Sequence, residues 1–453
     1  MLGLILLAVA IILYFKEQYR YISIFLYIGF MRGYGGGYGL WTDGILGYKN
    51  LDLALIYTAL ILIIQLFEGR LSLPKGRFFF FYTLTILAFL CCFAFSHFHY
   101  NFTYTQIIQG GRSFWLFLSL PIFMQMKITE MQKLFTLLLL VTMLTSVLYI
   151  LQIVLRQPLM HYGMGYRFDS STGLIRLYNS PAFLVFFLCL SFAAPKYFGK
   201  HQLLAQVILF LALLCTLGRN RIFTGVITIG LTLIFIGKAT RLIKTIIVIC
   251  IIAIPLSDFI VSRFEKGGET QNDLEAIISG KYKDNYQGEG GTMTYRLAWI
   301  YERAHYLEDR PFSEKMLGLG IISDSQPIVH LMYHFRTGIW KKELNDVTQL
   351  TTADISYGNL LSRLGYLGSG IYLAFVLCMT FFFYKRRKFN IFFSVCAAQC
   401  IMIFFTGITG SSLSEPKNFV LFFMGIAFYY NYSSRQTLIA NHPTNHFLLP
   451  LNK

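Results

Sequence analysis

The stretch LLLLVTMLTSVLYILQIVL at residues 137–155 carries no charged side chain over its whole length. A run of about 20 apolar residues is what a helix needs to cross the hydrocarbon core of a bilayer. Comparable runs recur along the chain, among them IIVICIIAIPL at residues 246–256. Their repetition predicts an all-α polytopic membrane protein, because each such helix would cross the bilayer once.

The composition supports the same class. Of the 453 residues, 55% are hydrophobic and only 13% are charged, and the mean hydropathy is +0.56. Soluble domains usually carry about 25% charged residues. A membrane-spanning β-barrel would instead be built from short segments of alternating polarity. The sequence therefore argues against both a soluble globular protein and an outer-membrane barrel.

The apolar runs form about thirteen segments, so we predict about 12–13 transmembrane helices with one large helical extracytoplasmic loop. The first segment has no basic region before it and no cleavage site after it, so we expect a retained helix rather than a removed signal peptide. The predicted spans are 2–15, 21–41, 51–67, 78–96, 106–125, 134–155, 180–195, 203–218, 222–237, 242–260, 356–384, 389–407 and 418–431.

The connectors between these spans alternate in character. Every second connector is short and basic, which is typical of cytoplasmic loops. The intervening connectors are then expected to face outward, and the C-terminus is expected to lie in the cytoplasm of a multi-pass membrane protein. The basic connectors are KEQYR (16–20), EGRLSLPKGR (68–77), MKITEMQK (126–133), KYFGKH (196–201), GKATRLIKT (237–245) and YKRRKF (384–389).

The net charge of +17 is unevenly distributed. Residues 261–355 hold 11 Lys or Arg and 14 Asp or Glu, a net charge of −3, whereas the rest of the chain holds 28 and 8, a net charge of +20. That excess lies in short loops, as an orientation signal would, and not in one patch for nucleic acid. We therefore expect membrane lipids around the protein and no nucleic acid as a partner.

These patterns divide the chain into four parts. They are an N-terminal transmembrane bundle (1–260), an extracytoplasmic (periplasmic) cap loop (261–355), C-terminal transmembrane helices (356–431) and a cytoplasmic tail (432–453). The cap is the one loop long enough to fold as a small unit of its own.

Within the cap, TYRLAWIYERAHYLEDRP predicts an amphipathic helix that ends at Pro311. Arg296 and Arg303 are seven residues apart, or about two helical turns, so both are expected on one face. The sequence GLG at 318–320 predicts a turn. The apolar residues expected on the other face of the helix are Leu297, Ile300, Ala304 and Leu307.

Seven arginines lie on the predicted outward side, where membrane proteins usually carry few basic residues. A guanidinium stays charged and binds phosphate or carboxylate oxygens in a bidentate manner. As a set they favour an anionic ligand at the membrane surface, such as a lipid diphosphate. Any one of them alone is better explained by snorkelling or a loop ion pair. The seven are Arg112, Arg167, Arg176, Arg219, Arg221, Arg296 and Arg303.

Motifs for nucleotide or metal chemistry are missing from the sequence. There is no D-x-D, no Walker A motif, no H-E-x-x-H and no G-x-S-x-G. His330 and His334 have i,i+4 spacing but no paired acid, so a metal site there is not favoured. We therefore expect no cofactor and no metal.

Several short motifs resemble the bacterial O-antigen polymerase and O-antigen ligase superfamily. In the cap they are RLAW (296–299), DRPF (309–312) and LGLGIISDS (317–325). The run DISYGNLLSRLGYLGSGIYL (354–373) is similar to the family's entry into the next span. LGRNRIFTG (217–225) is similar to its arginine turn, and RLYNSPAFL (176–184) to a loop-to-span junction. The resemblance covers residues 165 to 375 approximately.

The resemblance implies a glycosyltransferase whose donor is an oligosaccharide linked to undecaprenyl diphosphate. An O-antigen or surface-polysaccharide polymerase would join such repeat units at the outer face of the inner membrane, with inversion and without metal. Arg219 and Arg296 would hold the diphosphate. Asp354 would act as the base, with Tyr357 as its orienter. The helpers would be Arg112, Arg167, Arg176, Arg221 and Arg303. A chain-length regulator protein would be a partner.

Alternatives remain open at this point. Ligases of this family usually have a histidine where this chain has Asp354, which favours polymerase over transfer of the glycan to lipid A core. Asp354 is equally explained as an N-cap of the span that begins near residue 356. A flippase or permease for lipid-linked sugars is a rival from another class. A metal-dependent transferase that uses Asp43 is a further one.

Overall fold

The computed structural model describes most, but not all, of the chain. The predicted span 242–260, Asp43 and the tail from residue 437 lie outside the described residues, as does nearly all of the predicted cap before residue 292. The described ranges are 2–31, 50–157, 166–169, 174–177, 180–238, 292–341, 345–352 and 354–436, together with isolated residues at 159, 240, 243, 247 and 278–280.

The described chain is mostly helical. Two pairs of short antiparallel strands, β1–β2 and β3–β4, are its only described sheets. The first half contains α1 (Leu2–Phe15), α2 (Arg20–Phe30), α3 (Asn50–Phe67), α4 (Arg77–Phe98), α5 (Tyr104–Gly110), α6 (Arg112–Trp115), α7 (Leu120–Met124) and α8 (Ile128–Leu155). Next come β1 (Tyr166–Asp169), β2 (Leu174–Leu177), α9 (Leu184–Ala193), α10 (Gln202–Cys215) and α11 (Arg219–Phe235). The rest contains α12 (Thr292–Glu308), α13 (Phe312–Leu317), α14 (Pro327–Met332), β3 (Trp340–Lys341), β4 (Asp346–Val347), α15 (Ser356–Lys385), α16 (Ile391–Thr406) and α17 (Val420–Gln436).

Four described helices are long and apolar enough to cross a membrane: α3, α4, α8 and α15. The segment from α5 to α7 would make a fifth, although it is bent by 72° between Gly110 and Arg112. The predicted span over 106–125 therefore contains a bend that its sequence did not indicate. Several other predicted spans form shorter apolar helices, which include α1, α9 and α16.

The basic connectors meet at one end of the helix bundle, which we call the basic end. An Arg20 N–H donates to the backbone oxygen of Gln125 at 2.7 Å, and the Tyr430 hydroxyl donates to the backbone oxygen of Lys75 at 2.7 Å. Lys127 Nζ also donates to Glu17 Oε2, so the connectors at 16–20 and 126–133 meet, and the connector at 68–77 meets the end of α17. These contacts place three of the described basic connectors at one end of the bundle, and their cytoplasmic location stays a prediction.

Helix α15 is the central element of the second half of the chain. It packs against α4 and α16 along its length and against α12 and α13 near its start. Buried aromatic rings fill the contact with α4. Phe78 lies 5.5 Å from Phe375, and Phe89 lies 5.9 Å from Tyr372, between ring centroids. This packing fixes the start of α15 at the end of the bundle opposite the basic end, which we call the cap end.

Candidate functional site at the cap end

Arg303 lies in the centre of the cap core. Its side chain is fully buried, with the guanidinium carbon 4.0 Å from the centroid of the Trp299 ring and 4.3 Å from that of Phe335. It donates to the backbone oxygen of Gln349 at 3.0 and 3.1 Å and to Glu302 Oε2 at 2.7 Å. Burial lowers the pKa of Arg303 to about 10, although Glu302 opposes this. The prediction that Arg303 binds the anion is corrected, because its donors are used within the cap.

The buried face of α12 differs from the predicted one. Leu297, Ile300 and Ala304 are only partly buried, so they do not form the core-facing side of the helix. A stripe that includes the arginine faces inward instead, and its members are Thr294, Ala298, Trp299, Arg303 and Leu307. The sequence thus predicted the helix correctly, but the stripe of side chains that faces the core is not the one that contains most of the predicted apolar residues.

Arg296 lies level with the start of α15. Trp299 packs on Gly358, where an added Cβ would be 2.1 Å from the indole, and Glu308 is close enough to Tyr366 to interact with it electrostatically. These two contacts show that α12 and α15 run side by side in the same direction. Arg296 is about one turn before Trp299 and is partly exposed. It therefore lies beside the segment that contains Asp354.

Asp354 is a partly exposed carboxylate directly before α15. The N-cap of that helix is Ile355 and has no side-chain capping bond, so the alternative reading of Asp354 as the N-cap is not observed. The Asp354 N–H donates to Thr352 Oγ1 at 3.3 Å, which fixes the backbone. By contrast, Glu302 accepts from Arg303 and from the backbone of residues 336 and 337 and is fully engaged.

Tyr357 faces a neighbouring helix of the bundle. Its hydroxyl donates to the backbone oxygen of Phe404 in α16 at 2.5 Å, and its ring packs edge-on against the Phe404 ring. The hydroxyl is thus used to join α15 to α16. This position does not support the predicted role of Tyr357 as the orienter of Asp354.

Residues 407–417, which we call the bracket loop, hold the start of α15. The Ser356 N–H donates to the backbone oxygens of Gly407 and Gly410 at 2.8 and 3.0 Å, and Ser356 Oγ donates to Gly410 at 2.6 Å. The Leu413 N–H donates back to Ser356 Oγ at 3.1 Å. Sequence reasoning treated this loop only as a connector. The signal that it missed is the run TGITGSSLSEPK between two apolar segments.

The bracket loop also holds the start of α11. Asn220 Nδ2 donates to Thr409 Oγ1 at 2.7 Å and to the Thr409 backbone oxygen at 3.4 Å. One turn of the loop therefore contacts the arginine turn, and another contacts α15. The loop is itself braced, because Lys417 Nζ lies 2.9 Å from Glu415 Oε2.

The remaining arginines of this region are placed by their backbone. Arg219 is the first residue of α11, and its neighbour Arg221 is exposed and donates to Ser180 Oγ. Arg167 and Arg176 face each other in the register of β1 and β2, and β2 ends three residues before Ser180. The side chains of Arg219, Arg167 and Arg176 lie outside the described residues.

Arg112 is held away from this group. It makes a bidentate ion pair with Asp52 at the start of α3, with NH2 3.0 Å from Oδ2, and both side chains are mostly buried. Because this guanidinium uses two of its N–H groups and its positive charge on Asp52, few of its donors remain for a ligand. The structure therefore assigns Arg112 to the joint between α3 and the bent segment, and the prediction of substrate binding is not supported.

A further arginine, Arg363, was missed because it lies inside a predicted span. It is almost fully buried, at 7% exposure, and donates to the backbone oxygens of Gly110 and Ile322. These bonds join the break between α5 and α6 to the cap. The available signal was a single basic residue at the eighth position of the predicted span 356–384.

Two glycines allow this joint to close. Gly318 (φ +87°) and Gly365 (φ +64°) touch, and an added Cβ on either would lie 2.5–2.6 Å from the backbone of the other. Both have the left-handed backbone that glycine tolerates best. The Leu319 N–H donates to the Ser362 backbone oxygen at 2.7 Å. The predicted turn at 318–320 is confirmed, and it fills the break in α15.

His330 lies in the cap and is not arranged as a metal ligand. Nδ1 is 2.6 Å from Asp346 Oδ2, and Nε2 is 3.0 Å from the backbone oxygen of Asp324. Both ring nitrogens of His330 are thus engaged by groups within the cap. Burial disfavours ionisation of Asp346, but the bond from His330 holds its pKa below the ordinary value.

The group that remains at the cap end consists of Arg296, Asp354 and the arginine turn that begins α11. Such a set can hold an anion and supply a carboxylate beside it. Comparison of the sequence with models of known protein families gives no match, and comparison with curated proteins gives no match either.

Proposed function

We propose that this chain is a multi-pass inner-membrane glycosyltransferase with about 12–13 transmembrane helices and an extracytoplasmic cap. It joins oligosaccharide repeat units that are linked to undecaprenyl diphosphate, as an O-antigen or surface-polysaccharide polymerase does. The resemblance of the motifs around Arg219, Arg296 and Asp354 supplies the substrate class. The basic connectors at one end of the bundle support an orientation in which that end faces the cytoplasm and the cap end faces outward.

One observation carries the proposal. The turn at 219–221 and the segment that bears Asp354 are both hydrogen-bonded to the bracket loop at the cap end, and α12, which bears Arg296, packs beside the start of α15. Two segments that merely snorkelled at a membrane surface would have no reason to be tied to one loop by hydrogen bonds. The tie brings cations and a carboxylate to the same end of the molecule.

The chemistry follows from this arrangement. The hydroxyl of one lipid-linked repeat unit attacks the anomeric carbon of another from the face opposite the diphosphate. The new C–O bond forms as the bond to the diphosphate oxygen breaks, and the hydroxyl proton passes to Asp354. Negative charge grows on the departing undecaprenyl diphosphate. Guanidinium groups placed there stabilise the transition state more than the ground state, which is what accelerates the reaction.

The structure narrows the set of arginines in the proposal. Arg219 and Arg221 are primary cations because the bracket loop joins their turn to the start of α15, and Arg296 is a third because α12 packs beside that start. Arg167 and Arg176 belong to the hairpin that leads to Ser180 and remain helpers. Arg112 and Arg303 are left out, since each is engaged by the protein itself.

A transporter for lipid-linked sugars is the second candidate. Broken helices near the middle of a membrane are typical of transporter binding sites, and this chain has breaks at Gly110–Gly111 and at Gly365. Against it, the freed backbone groups are occupied by Arg363 and by the turn at 318–320. The breaks therefore anchor the cap, and we favour the transferase.

The test is reconstitution of the purified protein in liposomes with synthetic undecaprenyl-diphosphate repeat units, followed by gel electrophoresis of the glycan. A polymerase gives a ladder without metal or nucleotide. Addition of a lipid A core acceptor separates the ligase, which would give a single transfer to that acceptor. A transporter would move the donor across the bilayer and leave it unpolymerised.

Two substitutions test the site. Arg296→Ala and Asp354→Asn should each lower kcat/KM by about 10²–10³-fold, since each removes one transition-state interaction. Arg310→Ala is the matched control, because Arg310 lies beyond the other end of α12 and pairs with Glu314 at 3.8 Å. Full activity in Arg296→Ala would refute the assigned site.

A further inference from the structure

We infer that the bracket loop is the positioning element of the site and that the Asn220–Thr409 bond sets the spacing between the arginine turn and Asp354. The inference rests on the proposed function and adds to it a pair of positioning residues. Neither residue touches the substrate in this account. Each acts by holding groups that do.

The hydrogen bonds of the loop run to two separate helices. On one side, Ser356 is held by four bonds that involve Gly407, Gly410 and Leu413, at 2.6 to 3.1 Å. Since Asp354 is two residues before Ser356, these bonds fix the carboxylate relative to the loop. Gly407 also approaches closely, because an added Cβ would lie 2.6 Å from Leu413 and 2.8 Å from Tyr357.

On the other side, the described hydrogen bonds to the loop come from one side chain, that of Asn220. Asn220 lies between Arg219 and Arg221, and its amide donates to Thr409. Its own carbonyl oxygen accepts from Thr224 Oγ1 at 3.5 Å, one turn further along α11. The start of α11 is thus hydrogen-bonded to the loop through this amide, and Arg221 is close enough to Glu415 of the loop to interact with it electrostatically. The Asn220–Thr409 pair is the described hydrogen bond that joins the two halves of the site.

The loop is stiff enough to transmit this position. Ser411 Oγ donates to Glu415 Oε1 at 2.5 Å, and Asn418 Nδ2 donates to the Ser412 backbone oxygen at 3.0 Å. Leu413, which belongs to the loop, has a fully buried side chain. A displacement of the start of α11 would therefore not be absorbed by the loop, and the arginines would move relative to Asp354.

The experiment compares Asn220→Leu, Thr409→Val and the double variant in the polymerisation assay. Each single variant should lower kcat by about 10–100-fold with little change in KM, because small misplacements of catalytic groups have effects of that size. The double variant should be no worse than the singles, since both remove the same bond. Thr409→Ser, which keeps the hydroxyl, should retain activity.

Thr228→Val is the control for loss of a hydroxyl in the same helix. Thr228 is buried and donates only along α11, to the Thr224 backbone oxygen at 2.6 Å. It should keep wild-type kcat, and its melting temperature sets the range expected for the test variants. If Asn220→Leu does not fold, the pair Thr409→Val and Thr409→Ser still decides the question.

The outcomes separate the two proposals. A wild-type protein that makes no ladder would defeat the proposed function. A wild-type ladder with single variants within about twofold of wild type would overturn the positioning role alone. Single effects that multiply in the double variant would also overturn it, because two independent sites would then be involved.

Discussion

Arg296 and Arg303 lie on the same helix, two turns apart, yet their environments differ completely. Arg303 is surrounded by Trp299, Phe335 and backbone oxygens, whereas Arg296 is partly exposed beside the start of α15. The sequence predicted the helix and the shared face but not which of the two would be buried. Arg303 is buried because the backbone oxygens of residues 348 and 349 accept its hydrogen bonds. The spacing of residues within α12 contains no information about that distant segment.

The contrast leads to a prediction for Arg303→Lys. Lysine keeps the charge but loses the planar fork that reaches Gln349 and Glu302 together. We expect the cap to lose about 3 kcal/mol of stability, as when a buried charge loses its partners. Amide hydrogen exchange at residues 345–352 should rise, while KM for the lipid-linked donor stays unchanged.

The control for that measurement is Arg310→Lys, at the surface of the cap. Arg310 is partly exposed and stacks on Tyr306 at 4.2 Å. In Arg310→Lys, the free energy of protection against amide exchange at residues 345–352 should therefore stay within about 0.5 kcal/mol of wild type. Normal protection in Arg303→Lys together with a raised KM would return Arg303 to the binding site and contradict its assignment to the cap core.

At the scale of elements, the breaks in the helices were invisible to sequence reasoning. The predicted span 356–384 and the observed α15 (Ser356–Lys385) have nearly the same bounds. The break at Gly365 was not predicted, because SRLGYLGSG is also compatible with a continuous glycine-containing helix. Its cause is a long-range contact with Gly318 that no local pattern contains.

We predict that Gly365→Ala is strongly destabilising, by about 3 kcal/mol or more, because the substitution adds left-handed strain and a backbone clash. Its Cβ would be 2.5 Å from Gly318 N. Gly370→Ala in the same helix meets nothing within 4 Å and should be neutral, or stabilising by up to about 1 kcal/mol. Thermal unfolding in detergent measures both. Equal effects would show that the break is not held by this contact.

At the scale of the whole molecule, charge patterning proved more informative than span lengths. Several predicted spans form helices of only 10–17 residues, and one is bent. The grouping of the connectors at 16–20, 68–77 and 126–133 was nonetheless predicted. It depends on the sign of the charge in each loop and on the alternation of successive connectors between the two sides of a multi-pass protein. Of the segments assigned to the outward side, the turn at 219–221 and the start of α15 are joined through one loop. Their individual partners required the structure, and their role in a site stays a prediction.

This grouping gives the last prediction, which concerns orientation. If the basic end faces the cytoplasm, as basic loops do in membrane proteins, the cap end must face outward. Alkaline phosphatase fused after Arg336, within the cap, should be active, and green fluorescent protein fused there should be dark. Fusions after Lys388, at the basic end, should show the reverse. The two positions lie on either side of α15, so one crossing separates them.

The same experiment bears on the proposed chemistry. A cytoplasmic cap would place Arg296 and Asp354 where nucleotide-activated sugars are available, and a lipid-diphosphate donor at the outer leaflet would be out of reach. Active phosphatase after Lys388, or inactive phosphatase after Arg336 in a full-length, membrane-inserted fusion, would therefore defeat the outward site. The expected result, an outward cap, favours a donor whose leaving group is its own diphosphate, because no nucleotide-activated sugar is supplied on that side of the membrane.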